Sequence, residues 1–130
     1  MRRDHLDLFK YQRIAGPLFL AAAVFAFVMA VLPHPPEFPG EPPDKIQHMA
    51  AFATLAFLGS IAFPRVRWLQ LVTGLSLFGA AIELAQAIPM LHRDSEFMDW
   101  VADTATSALV ALAMIWWRSR FPTSEKRPTD

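Results

Sequence analysis

The chain has 130 residues, 12 Lys+Arg against 12 Asp+Glu, no Cys and 54% hydrophobic residues. That length fits one small unit, zero net charge leaves no basic footprint for nucleic acid, and the lack of Cys excludes disulfides, zinc–thiolate sites and thiol nucleophiles. Only 18% of residues are charged, and they lie mostly between and outside four apolar blocks.

The first block, residues 14–32, carries no charge. The second, 46–63, is interrupted near its start by Gln47 and His48. The third, 68–90, carries Glu83 and Gln86, and the fourth, 100–117, carries Asp103. A helix of about 17–25 residues crosses a bilayer, and the backbone in lipid must satisfy its own polar groups. The blocks therefore predict an all-α integral membrane bundle of four transmembrane helices. A soluble four-helix bundle would need a polar stripe on every helix, and residues 18–32 offer none. A cleaved signal peptide is disfavoured because the first block is long and no Ala-x-Ala site follows it.

Basic residues set the orientation. Arg2, Arg3, Lys10 and Arg13 precede the first block, Arg65 and Arg67 join the second to the third, and Arg118, Arg120, Lys126 and Arg127 follow the fourth. Both termini and the 63–68 turn are thus expected in the cytoplasm, with 32–44 and 91–99 outside. Trp68, Trp116 and Trp117 fall at the expected inner boundary and Trp100 at the outer one, where amphipathic rings are favoured. This divides the chain into a cytoplasmic tail (1–13), a membrane domain (14–117) and a second cytoplasmic tail (118–130), with 123–130 polar and disordered. The short 63–68 turn predicts that the second and third helices are antiparallel neighbours. Six prolines make residues 33–43 an extended outer strap, and Asp44 follows it as an expected N-cap.

Ionisable groups within spans are costly and face a bundle interior or a wet cavity. Lys45 and His48 are i,i+3 on the second block, Glu83 and Gln86 i,i+3 on the third, and Asp99 and Asp103 i,i+4 on the fourth, so each pair shares a helix face. At about 1.5 Å per residue, His48, Glu83 and Asp103 lie on the order of 5–10 Å below the outer helix ends. Arg93 and Asp94 sit in the loop above. The expected pairs are His48 or Lys45 with Glu83, and Arg93 with Asp99 or Asp103. His92 is near enough to join them. Gly59, Gly74 and Gly79 read as close-packing positions.

The series Asp44-Lys45-x-x-His48-x-x-x-Phe52, Glu83-x-x-Gln86, Pro89, Arg93 and Asp99-x-x-x-Asp103 resembles the VanZ-like family of small integral membrane proteins. The resemblance spans Asp44 to about Ala113; the first helix matches only in position. Position 103 is commonly Asn in that family, and Thr106 and Val110 stand at positions where it has Gly. The family is named for a member linked to glycopeptide resistance; the resemblance implies a bacterial cytoplasmic (inner) membrane and an envelope role, without a well-defined biochemical activity and without resistance itself.

Four functions fit this pattern. In the first, an outward-facing site binds or processes an envelope lipid or lipid-linked glycan. His48, Glu83 and Asp103 are then its candidate catalytic groups, and Lys45, Gln86, Arg93 and Asp99 its ligand-binding ones. In the second, the polar cluster only locks the helices of a structural or partner protein. In the third, His48, Glu83, Asp99 and Asp103 hold a divalent metal, although no local ligand motif such as His-Glu-x-x-His is present. In the fourth, an ion carrier, polar groups must run the full membrane depth, and the inner halves are largely apolar. No cofactor and no nucleic-acid partner is expected; the bilayer is the one expected partner.

Overall fold

The computed structural model describes residues 8–37 and 39–121. The sequence expectations for Arg2 and Arg3, and for the 123–130 tail with Lys126 and Arg127, fall outside the described residues. The described chain is all-helical. Four α-helices run in order: α1 (Leu8–Val31), α2 (Asp44–Ala62), α3 (Trp68–Gln86) and α4 (Phe97–Arg120), with a short 3-10 turn at Pro89–Leu91.

Local sequence explains each boundary. α1 begins six residues ahead of its apolar block, and Pro17 lies inside it without ending it. α2 starts directly after Pro42-Pro43, because proline is tolerated before a helix but not within its interior. Pro43 occupies the capping position and no side chain caps the helix, so Asp44 is its first helical residue rather than the expected N-cap. Pro64 closes α2 by disfavouring helical geometry at Phe63. Gln70 opens α3 by accepting a hydrogen bond from the Arg67 backbone N–H at 3.0 Å. α3 stops at Gln86, four residues short of its apolar block, because Pro89 starts the 3-10 turn. His92 then takes a left-handed conformation (φ 49°) that redirects the chain toward α4. Arg118 and Arg120 lie in the last turn of α4, where cations complement the helix dipole.

Residues Tyr11–Val31, Trp68–Gln86 and Phe97–Arg120 are long and apolar enough to cross a membrane. α2 is as long as α3. It misses the same measure because Lys45, Gln47 and His48 crowd its first turn. The outward faces are largely apolar: Leu20, Phe25, Leu77, Leu84 and Leu109 are all exposed. A water-soluble bundle would carry polar side chains there, so lipid is the solvent these faces suit.

The helices pack in the order α1, α2, α4, α3 around the bundle. The 63–67 turn does make α2 and α3 antiparallel, and they touch. The larger interfaces of α2, however, are with α1 and α4. The core joins Ala30, Phe52, Leu55, Ala56, Leu75 and Ile82. Phe52 and Phe78 stack at 5.9 Å between ring centres. Gly59 lets Leu71 and Phe19 come so close that a Cβ there would lie 2.8 Å from Leu71 Cδ1. Gly79 similarly admits Phe52 and Trp100. Gly74 faces open space, so the expectation that it mediates packing is corrected.

The bundle has two distinct ends. One holds the α2–α3 turn, and there the Arg118 guanidinium donates to the Ser60 carbonyl, tying α4 to α2. The other holds the 32–43 strap, which has no helix or strand among its described residues, and the α3–α4 loop. The polar groups predicted to meet all lie toward this strap end.

Candidate functional site

Because α2 faces α4, the polar residues of α2 meet the acids of α4. Lys45 Nζ lies 3.3 Å from Asp99 Oδ1 and 3.5 Å from Glu96 Oε2. Lys45 stands just ahead of the apolar run, and the close Asp99 carboxylate holds its ammonium above the ordinary lysine range. One turn deeper, His48 Nδ1 lies 3.4 Å from Asp103 Oδ2. His48 is buried and Asp103 is only 2% exposed. The expected pairing of His48 or Lys45 with Glu83 is therefore corrected: both find their acids on α4.

Glu83 is engaged elsewhere. Its Oε2 accepts a 2.8 Å hydrogen bond from Ser95 Oγ, which joins α3 to the loop before α4. The Arg93 pairing also differs from expectation. Arg93 Nη2 lies 3.4 Å from Asp44 Oδ1, not against Asp99 or Asp103. Gln86 is buried and donates to the Ala30 carbonyl at 3.1 Å, so it clamps α3 to the end of α1. His92 stays exposed beside the Met90 carbonyl and the His34 ring, away from the cluster. Trp100 is half-buried and donates to the Ser76 carbonyl across the α3–α4 interface, rather than standing free at a lipid boundary.

A cavity of about 300 Å³ opens at this end between α1, α2 and the strap. Phe25 and Met29 of α1 form an apolar wall, Phe52 and Ile82 lie among the core-side lining, and Glu41, Asp44, Gln47, His48 and Arg93 supply polar groups. His48 thus reaches both the cavity and Asp103. Its Nε2 lies 3.7 Å from Asp44 Oδ2, an i,i+4 contact on α2. An acid behind Nδ1 fixes the ring and favours Nδ1–H, leaving Nε2 to accept a proton or, once protonated, to donate one. The geometry is that of an imidazole held by a carboxylate on one nitrogen and open toward the cavity on the other.

Three buried carboxylate oxygens lack a hydrogen-bond partner among the described residues: Glu83 Oε1, Asp99 Oδ1 and Asp103 Oδ1. For Asp99 the nearby Lys45 ammonium supplies the compensating charge. Among the described residues, no group of three His, Asp or Glu side chains is placed to hold a metal ion. His48, Glu83, Asp99 and Asp103 are drawn into separate pairs instead.

No family model, curated protein or solved structure matches the chain.

Two participants escaped the sequence reading. Asp44 was assigned to capping, although its i,i+4 spacing to His48 places both on one face and was the signal available. Ser95 had none: it sits in an irregular loop, and only the fold brings it to Glu83. The contribution of α1 to the cavity wall was equally silent, since Phe25 and Met29 look like any lipid-facing residues.

Proposed function

We propose that this chain is a multi-pass protein of the bacterial cytoplasmic (inner) membrane that binds an amphipathic envelope ligand, a lipid or lipid-linked glycan, in the cavity at the strap end. The observation that carries this reading is the make-up of that cavity. One wall is apolar and continues onto the lipid-facing side of α1, while His48, backed by Asp103, and Arg93 supply polar groups. Ligand cavities are typically apolar with a few placed polar groups, and a headgroup with an attached chain has both halves of that chemistry.

In this reading α2 is the fourth span, held between α1 and α4 with its polar first turn at the membrane surface. The basic residues around the α2–α3 turn and the ends of α1 and α4 support placing those ends in the cytoplasm, and the cavity outside. The resemblance to the VanZ-like family supports an envelope role. If the site turns substrate over, His48 is its base and Asp103 orients it. Glu83 would then act through the Ser95 loop, not beside His48.

The test is ligand capture by the full chain in lipid nanodiscs, followed by native mass spectrometry against polyprenyl phosphates and lipid-linked glycans. Retention by the wild type, lost on filling the cavity with Ala51→Phe, is the expected result. Equal retention by both would end the reading.

A second reading has its own observation. Gln86–Ala30, Trp100–Ser76 and Thr104–Ser76 are polar contacts that only join helices. A structural or partner protein needs no more than these. It would tolerate simultaneous replacement of His48 and Asp103 by leucine with its cellular role intact.

A further inference from the structure

We propose that the headgroup taken by this cavity is a phosphomonoester-type anion, and that it binds by displacing the Asp44 carboxylate from between Arg93 and His48. The proposal rests on the ligand-binding reading above and names the chemical class of that ligand.

Asp44 bridges two groups at the cavity mouth. One oxygen lies 3.4 Å from Arg93 Nη2 and the other 3.7 Å from His48 Nε2. Both contacts are longer than the roughly 2.7–2.9 Å of a close charge-assisted hydrogen bond. The Asp44 side chain is 56% exposed and stands on the first residue of α2. It can swing toward solvent and still remain at a helix N-terminus, where a carboxylate is favoured. An anion therefore already sits between Arg93 and His48, and it sits loosely.

The groups it bridges are the better-held partners. The Arg93 side chain is 13% exposed and lines the cavity. Its contact with Asp44 uses one Nη2 donor of a guanidinium that has five. A phosphate can take two of those donors in parallel, which one oxygen of Asp44 does not. At His48, a P–OH donates to neutral Nε2; if the proton crosses, the imidazolium donates back to P–O⁻. Asp103 behind Nδ1 supports either state. Glu41 also lines the cavity and accepts from Gln47 at 3.2 Å; between Arg93 and His48 themselves a quaternary ammonium would meet Arg93 with like charge, and a neutral alcohol brings no charge to replace that of the carboxylate. The attached chain leaves along Phe25 and Met29, on the side where Phe25 is already exposed toward lipid.

The experiment uses the full chain in nanodiscs and four probes: farnesyl phosphate, farnesol, inorganic phosphate and a long-chain alkyltrimethylammonium. Farnesyl phosphate is expected to bind at least about tenfold more tightly than the other three, and Arg93→Gln to remove that advantage. Asp44→Asn is expected to tighten farnesyl phosphate binding about five- to tenfold, because a competing like charge leaves the site. Asp44 is exposed, and a retained cooperative melting transition confirms that this variant is folded. Unchanged or weaker binding by Asp44→Asn overturns the displacement. Farnesol binding as well as farnesyl phosphate overturns the anionic class while the cavity reading stands. Inorganic phosphate binding equally well makes the site one for a soluble anion and overturns the amphiphile. Failure of every probe removes the cavity reading and this proposal together.

Discussion

Gln86 on α3 donates its side-chain amide to the Ala30 carbonyl, 3.1 Å away in the last turn of α1. Carbonyls in a final helical turn have no intrahelical donor. Gln86 is 1% exposed, so no solvent reaches the bond to replace it. Gln86→Leu should cost about 1–3 kcal/mol, the penalty for orphaning a buried acceptor. Thermal unfolding in detergent checks this; a variant as stable as wild type would show that the clamp is dispensable.

The His48–Asp103 pair should behave as one unit. Each single alanine variant leaves a buried polar partner behind, so the double variant should lose less stability than the two losses added. A coupling of about 1–3 kcal/mol is expected for groups in direct contact. A double-mutant cycle on unfolding free energy measures it directly. Strict additivity would mean the 3.4 Å approach carries no interaction.

Lys45 and Asp99 give a pH-dependent contribution. The folded state raises the lysine's affinity for its proton, so this contribution is fully present below the unfolded-state value. It is lost as pH rises through the folded one. Lys45→Met should lower the melting temperature throughout the neutral range. The gap to wild type should close only in strongly alkaline buffer, above the ordinary lysine range. A gap that closes near neutrality would contradict the pairing.

Glycines at two positions should respond with opposite signs. Gly74 has no atom within 4 Å of where a Cβ would stand, so Gly74→Ala should stabilise α3 by roughly 0.5–1 kcal/mol through backbone entropy alone. At Gly59 a Cβ would meet Leu71 at 2.8 Å and Phe19 at 3.2 Å. Gly59→Ala should force both side chains to shift and cost on the order of 1 kcal/mol. Melting curves of the two variants, read side by side, decide the matter.

The two ends of the bundle should react with impermeant reagents from opposite sides. The chain has no Cys, so single cysteines report cleanly. Arg65→Cys should be labelled only from the cytoplasmic side and His92→Cys only from outside. Labelling of both from one side would break the proposed topology.

The helices themselves were legible because apolar length and proline punctuation are properties of the chain in one dimension. Residues 14–32 could hardly be anything but a helix in lipid, and Pro64 and Pro89 mark the ends of α2 and α3. That His48, Glu83 and Asp103 fall toward the same end of the bundle was legible for the same reason, since rise per residue is fixed. What each one touches was not. Partner choice depends on which helices lie side by side, and a tight turn suggested that α2 would use α3. The bundle instead places α2 against α1 and α4, so Lys45 and His48 turn to Asp99 and Asp103, and Glu83 is left to Ser95. Arg93 went to Asp44 because a loop residue's reach is set by the left-handed turn at His92, which no periodicity announces.

The acids that Lys45 and His48 use on α4 lie more than fifty residues further along the chain. Until some fifty further residues are synthesised, those side chains have no α4 carboxylate to meet. The polar first turn of a nascent α2 therefore stays uncompensated by α4 until that helix is made.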